Sequence, residues 1–305
     1  MPEPAALSPE RNGRLVRLAA QASVAVASFL ILAKSAAWLA TDSVSLMSTL
    51  IDSLLDVGAS LVNLVAIRHA LEPADREHRF GHGKAEALAG LAQAAFVAGS
   101  AAFLLAQAGE RLLRPRPLIN TDIGIAVMVL SIVVTIALVL FQKHVARRTR
   151  SVAISADSLH YETDVLANLG VIVSLVLVSR FGWGAADPLI AVVIVGYILW
   201  GAWGIGARAL HILMDREIPD ADREKIRALA RALPGVRGVH DLKTRSSGTQ
   251  IFVQLHLELD GAMKLNEAHV IAEDAIKRIM EAYPNAEVIV HEDPEGVIEK
   301  RSHYG

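Results

Sequence analysis

Asp52 and Asp56 stand one helical turn apart in an otherwise apolar stretch, and His160 and Asp164 repeat that spacing in a second such stretch. Both stretches read as membrane-spanning helices. A charged group at bilayer depth is costly, so its retention points to an ion or proton path. Carboxylate oxygen and imidazole nitrogen are ligands for divalent cations. At i, i+4 spacing each pair shares one face of its helix, and two facing helices then offer four ligands, the number that closes a zinc tetrahedron. Three carboxylates and one imidazole neutralise a divalent cation strongly, and without metal the same crowded groups favour protons. A site that accepts either M²⁺ or protons has the chemistry of antiport.

Six spans are expected to position these groups: Leu18–Ala40, Val44–Arg68, Ala85–Leu113, Ile123–Lys143, Ser151–Arg180 and Asp187–His211. The breaks are Thr41-Asp42, Glu72–Lys84, Pro115/Pro117, the basic run Lys143–Arg150 and Gly182–Gly184. The first run is too long for a signal h-region and reads as a span. In the second span Ser45, Thr49, Asp52, Asp56, Ser60 and Asn63 form one polar stripe; in the fifth, Asp157, His160, Asp164 and Asn168 form another. With ~1.5 Å of rise per residue, Asp56 and Asp52 lie roughly 18 and 24 Å from Arg68, and His160 and Asp164 roughly 15 and 21 Å from Arg150. The two pairs therefore share one level near mid-membrane. Glu162, two residues from His160, faces away.

Composition agrees. Of 305 residues 53% are hydrophobic, which is high for a soluble protein. The formal net charge of -2 suggests no nucleic-acid partner. With no Cys, thiolate sites and disulfides are excluded. The remaining N and O donors suit Zn, Fe(II), Mn, Co or Cd better than Cu(I). Arg and Lys gather at the N-terminal segment, the loop after the second span and the loop after the fourth. Both termini are therefore expected on the cytoplasmic side.

Residues 1–214 thus read as a six-helix transport domain and 215–305 as a separate cytoplasmic domain. In the latter, Asp220–Leu233 and Asn266–Tyr283 read as helices, and Gly238–Arg245, Thr249–Leu259 and Glu287–His291 as strands. The α-β-β-α-β order predicts a small α+β, ferredoxin-like fold with helices on one face of a sheet. His240, His256 and His291 fall on three strands and His269 on a helix, with Asp293 following: enough imidazole in a short domain to suit zinc. In the loop after the second span, Asp75, His78 and His82 form a D-x2-H-x3-H pattern that on its own is a weak signal.

Asp52-x3-Asp56 with Val57-Gly58-Ala59-Ser60, Phe80-Gly81-His82-Gly83-Lys84-Ala85-Glu86, and His160-Tyr161-x2-Asp164 carry a resemblance. From about Arg14 to Pro294 the chain resembles the cation diffusion facilitator family, in its bacterial branch of zinc and ferrous-iron efflux pumps. The resemblance implies a homodimer in the bacterial cytoplasmic membrane that exchanges M²⁺ for H⁺ at Asp52, Asp56, His160 and Asp164. It implies a second zinc position at Asp75, His78 and His82, although Arg76 stands where relatives are often acidic. It implies a binuclear zinc site at the cytoplasmic dimer interface from His240, His256, His269, His291 and Asp293; Glu292 departs from the neutral residue of close relatives. Lys84 and Asp215 match residues that form an ion-pair cluster between protomers.

Three other readings compete. The buried groups could pair among themselves or with Lys34 and only hold helices together, at on the order of ~0.6 kcal/mol per hydrogen bond. A metal-dependent intramembrane hydrolase would need an open coordination position, and no H-E-x-x-H is present. A passive channel would need weaker coordination than four ligands give.

Overall fold

The computed structural model describes residues 9–41, 44–113, 122–183 and 186–297. It divides into two compact units, Glu10–His211 and a second from Ile212 onward. The break markers Asp42, Pro115, Pro117 and Gly184 lie outside the described residues.

The first unit holds α1 (Pro9–Thr41), α2 (Val44–Ala70), α3 (Lys84–Leu113), α4 (Asp122–Thr149), α5 (Val152–Phe181) and α6 (Ala186–Leu213). Among the described residues five stretches are long and apolar enough to cross a bilayer: Glu10–Ala40, Thr49–Ala70, Lys84–Ala106, Ala126–Thr149 and Pro188–Leu213. The remaining helix, α5, is as long as α3 but carries Asp157, Glu162 and Asp164 in its first half. Outward-facing side chains are large and apolar, with Trp200 82% and Trp203 79% exposed, as a lipid-facing surface requires. Between the helices, Val16, Ala19, Ala20, Leu64, Ile67, Val145, Ala153 and Ile154 form a core that joins α1, α2, α4 and α5.

The basic run Lys143–Arg150 is not a loop. α4 continues to Thr149, and the chain reverses over Arg150 and Ser151 alone. Lys and Arg are good helix formers and are favoured at a helix C-terminus. Arg150 takes a left-handed conformation (φ 57°) and donates its amide to Ala146. Ser151 then caps α5, its hydroxyl accepting the Ile154 amide at 3.2 Å. Glu86 of α3 accepts further from the Val152 and Ala153 amides, a carboxylate at a helix N-terminus. This approach needs Gly90: a Cβ there would sit 2.7 Å from Val152 Cγ1.

The second unit holds α7 (Asp220–Arg231), β1 (Gly238–Ser247), β2 (Gln250–Leu259), α8 (Leu265–Ala282) and β3 (Ala286–Pro294). β1 and β2 form an antiparallel hairpin across Gly248-Thr249, with Gly248 at φ 60°. α8 crosses over to place β3 parallel to β2. Val253, Leu255, Leu257 and Leu259 alternate onto one face and pack with Ile226 and Ala230 of α7 and Ala268, Ala275 and Ile279 of α8. The helices therefore cover one face of the sheet, and the odd-numbered positions of β3 and even-numbered positions of β2 face the other.

Candidate metal centres

On α2 and α5 the polar stripes meet. His160 Nε2 lies 3.1 Å from Asp56 Oδ1, and ligand atoms of Asp56, His160 and Asp164 all lie within 4.8 Å of one another. His160 is buried, with the Phe96 ring of α3 set edge-on at 5.6 Å. Asp52, one turn along α2, is exposed and stands outside this group. Thus three of the four expected ligands are gathered. Lys34 of α1 donates to Ser53 Oγ at 2.6 Å and to the Thr49 carbonyl at 3.4 Å. The imidazole and carboxylates of the group can bind a divalent cation, and each can instead carry a proton.

The next turns of both stripes, toward Arg68 on α2 and Arg150 on α5, belong to a buried hydrogen-bond network that sequence reasoning did not resolve. Asp157 is 0% exposed; its Oδ2 accepts from Ser23 Oγ at 2.5 Å and Gln142 Nε2 at 2.6 Å. Tyr161 and Ser60 hydroxyls share a hydrogen bond of 2.7 Å. α1, α2, α4 and α5 are thereby cross-tied one turn from His160. Glu162 is turned elsewhere, ion-paired with Lys143 at 2.6 Å and accepting from Tyr197 at 2.7 Å.

In the loop after α2, Asp75, His78 and His82 also bring ligand atoms within 4.8 Å. Asp75 is held by a turn: its Oδ1 accepts the amides of His78 at 2.6 Å and Glu77 at 2.8 Å. The His78 amide keeps the Asp75 carboxyl below the usual carboxylate range. Arg76 is exposed.

On the open face of the sheet, register does the positioning. His240 on β1 is paired with His256 on β2, and His256 with His291 on β3. Asp293 is buried among them: its Oδ2 is 2.6 Å from His256 Nδ1 and 3.3 Å from His240 Nε2, and its Oδ1 is 3.1 Å from His291 Nε2. A β-bulge after His240 turns Asp241 (φ 46°) toward His256, 3.7 Å away, and Glu258 meets His240 at 3.0 Å. Neither acid stood out in the sequence, because only the register brings them near. His269 lies on the exposed side of α8, outside the group. Strand alternation turns Glu292 to the opposite face from His291 and Asp293. His240, His256 and Asp293 bring ligand atoms within 4.8 Å of one another, and His291 joins them through Asp293; such imidazole and carboxylate donors are of the kind that zinc takes.

Comparison with known proteins matches residues 20–214 to the cation efflux transmembrane domain and residues 218–295 to the cation efflux protein cytoplasmic domain. The cation-efflux pump FieF of Klebsiella pneumoniae is 48% identical over 286 residues, 94% of this chain and 95% of that protein. FieF of Shewanella oneidensis is 49% identical over 279 residues, 92% of this chain and 94% of its own. The chain belongs to the cation diffusion facilitator family. It is a multi-pass membrane transporter of divalent metal cations, not an enzyme. A solved metal-bound C-terminal domain of the CzcD transporter from Thermotoga maritima covers 26% of this chain and 93% of its own at 28% identity, with a TM-score of 0.25.

Of the facilitator's two expected interfacial charges, Lys84 opens α3, and Asp215 meets Arg245 of its own unit at 3.4 Å.

Proposed function

We propose that this facilitator is a proton-coupled exporter of divalent transition-metal ions, Zn or Fe(II) first and Cd, Co or Mn by the same donors. The supporting observation is the Asp56–His160–Asp164 group between α2 and α5. Asp52, on the same polar stripe of α2, is the fourth ligand in this reading. The cation is cargo here: it binds as the carboxylates and His160 give up protons, and protons return when it leaves, which couples the two flows. Alternating access rocks the helices that carry the site. In this reading α5 also crosses the membrane, as the fifth of six spans, residues 1–214 are the transport domain and 215–305 the cytoplasmic domain. Both termini face the cytoplasm of a bacterial inner membrane.

Asp75, His78 and His82 form a cytoplasmic loop site. The protein works as a homodimer, in which zinc at His240, His256, His291 and Asp293, with His269 brought in by a second copy, stabilises pairing of the cytoplasmic domains by mass action. Lys84 and Asp215 form interfacial ion pairs in that dimer.

Zinc flux into proteoliposomes tests the reading. Saturable uptake that speeds up with an opposing pH gradient and drives proton counter-flow is the expected result. Flux at channel rates indifferent to the gradient would reject it.

A further inference from the structure

The loop holds more ligands than the Asp75–His78–His82 set. At the C-terminal turn of α2, His69 Nδ1 meets Glu72 Oε2 at 2.8 Å, and both side chains are about half exposed. His69, Glu72 and His82 bring ligand atoms within 4.8 Å of one another, the same closeness as the first set. His82 is the hub. Its ring centroid lies 4.5 Å from that of His69 and 4.5 Å from that of His78. Each arm is one imidazole and one carboxylate three residues apart in sequence.

His82 itself points to a ligand. The residue is 8% exposed, yet its Nδ1 is buried without a hydrogen-bond partner, while Nε2 sits 3.4 Å from Asp75. A buried ring nitrogen without a partner is uncommon in a native fold. The flanking side chains are exposed and rotatable. Closing donors now within 4.8 Å to the roughly 3.3 Å edge of a tetrahedron with ~2.0 Å bonds takes a small rotation of His69 or Glu72.

We propose that His69, Glu72 and His82 form a second divalent-cation site, sharing His82 with the Asp75–His78 arm. A neutral imidazole offers one lone pair, so His82 serves one ion at a time. The loop therefore holds one cation in either of two adjacent positions, one completed by Asp75 and His78 and the other by His69 and Glu72. This rests on the metal-binding reading of the loop and is independent of transport.

Zinc content of the full-length protein, dialysed against buffered ZnCl₂, tests it in three variants. Asp75→Asn/His78→Ala should keep the wild-type zinc count, and so should His69→Phe/Glu72→Gln. The four-fold variant should lose one zinc per chain. A CoCl₂ titration read by ligand-field absorbance gives a second measure: loop affinity in Asp75→Asn/His78→Ala should fall at least tenfold further on adding Glu72→Gln alone. Helical circular dichroism matching wild type excludes misfolding. If Asp75→Asn/His78→Ala already loses the ion and the further substitutions change nothing, the second arm is refuted while the first stands. If no variant loses zinc, both arms fail.

Discussion

In the helical unit, Asp56, His160 and Asp164 meet because two helices each carry a polar turn in an apolar surface. In the sheet, His240, His256 and His291 meet because three strands place one register position side by side. The first group is walled by Phe96 and by the Ser23–Asp157–Gln142 network, where charge without a counter-ion is costly. The second lies on an open face: His240 and His291 are about half exposed and can be solvated, while His256 and Asp293 are largely covered. A ligand lost from the helical group should therefore end function, and one lost from the sheet should remove metal and weaken assembly.

Asp56→Ala breaks that contrast most sharply. Zinc flux in proteoliposomes should fall by more than the ~10–100-fold that a second-sphere partner costs, with the fold and dimer retained. Retained flux would remove the helical group from the transport path. Next comes the sheet core. Leu255→Ala, in the packed face behind the histidine row, should destabilise the C-terminal unit by about 2–5 kcal/mol, read by denaturant unfolding; a change of only about 0.5 kcal/mol, as for a surface substitution, would mean that this face of the sheet is not packed.

Asp157→Ala removes the shared acceptor of the helical network. It leaves Ser23 and Gln142 without their shared acceptor and should cost about 1–3 kcal/mol, seen as a lower Tm in detergent. An unchanged Tm would show that the network does not fix the helices. His256→Ala should abolish zinc at the sheet and weaken the dimer in analytical ultracentrifugation, leaving flux within about tenfold of wild type by the second-sphere scale. The smallest effect belongs to Glu162→Gln. Its pair with Lys143 is partly exposed and should be worth under ~1 kcal/mol; a loss of transport like that of Asp56→Ala would make Glu162 part of the site.

The helical stripes were legible because i, i+4 spacing survives any packing. Asp56, His160 and Asp164 follow from it directly. Asp52 does not join them, since spacing fixes the face of a helix and not the rotamer or how far the contact with α5 extends. Asp157 read as one more stripe residue; its partners Ser23 and Gln142 come from α1 and α4, whose rotation about their own axes no local pattern reveals. The α-β-β-α-β order was legible from period-two alternation, and so were the three strands that carry histidine. The alignment of the histidines was not, because register depends on the Gly248-Thr249 turn and on the bulge at Asp241. The basic run at the end of α4 resembles a break by its charge, yet Lys and Arg are good helix formers and the helix continues through it to Thr149. His69 and Glu72 were hidden by a loop that folds back on the end of α2.

Transport as proposed requires one cation held between α2 and α5. Zinc-edge anomalous diffraction from crystals of the zinc-loaded full-length protein tests it most directly. The expected map has a peak within bonding distance of Asp56, His160 and Asp164. Peaks in the loop and on the sheet with none between these two helices would contradict it.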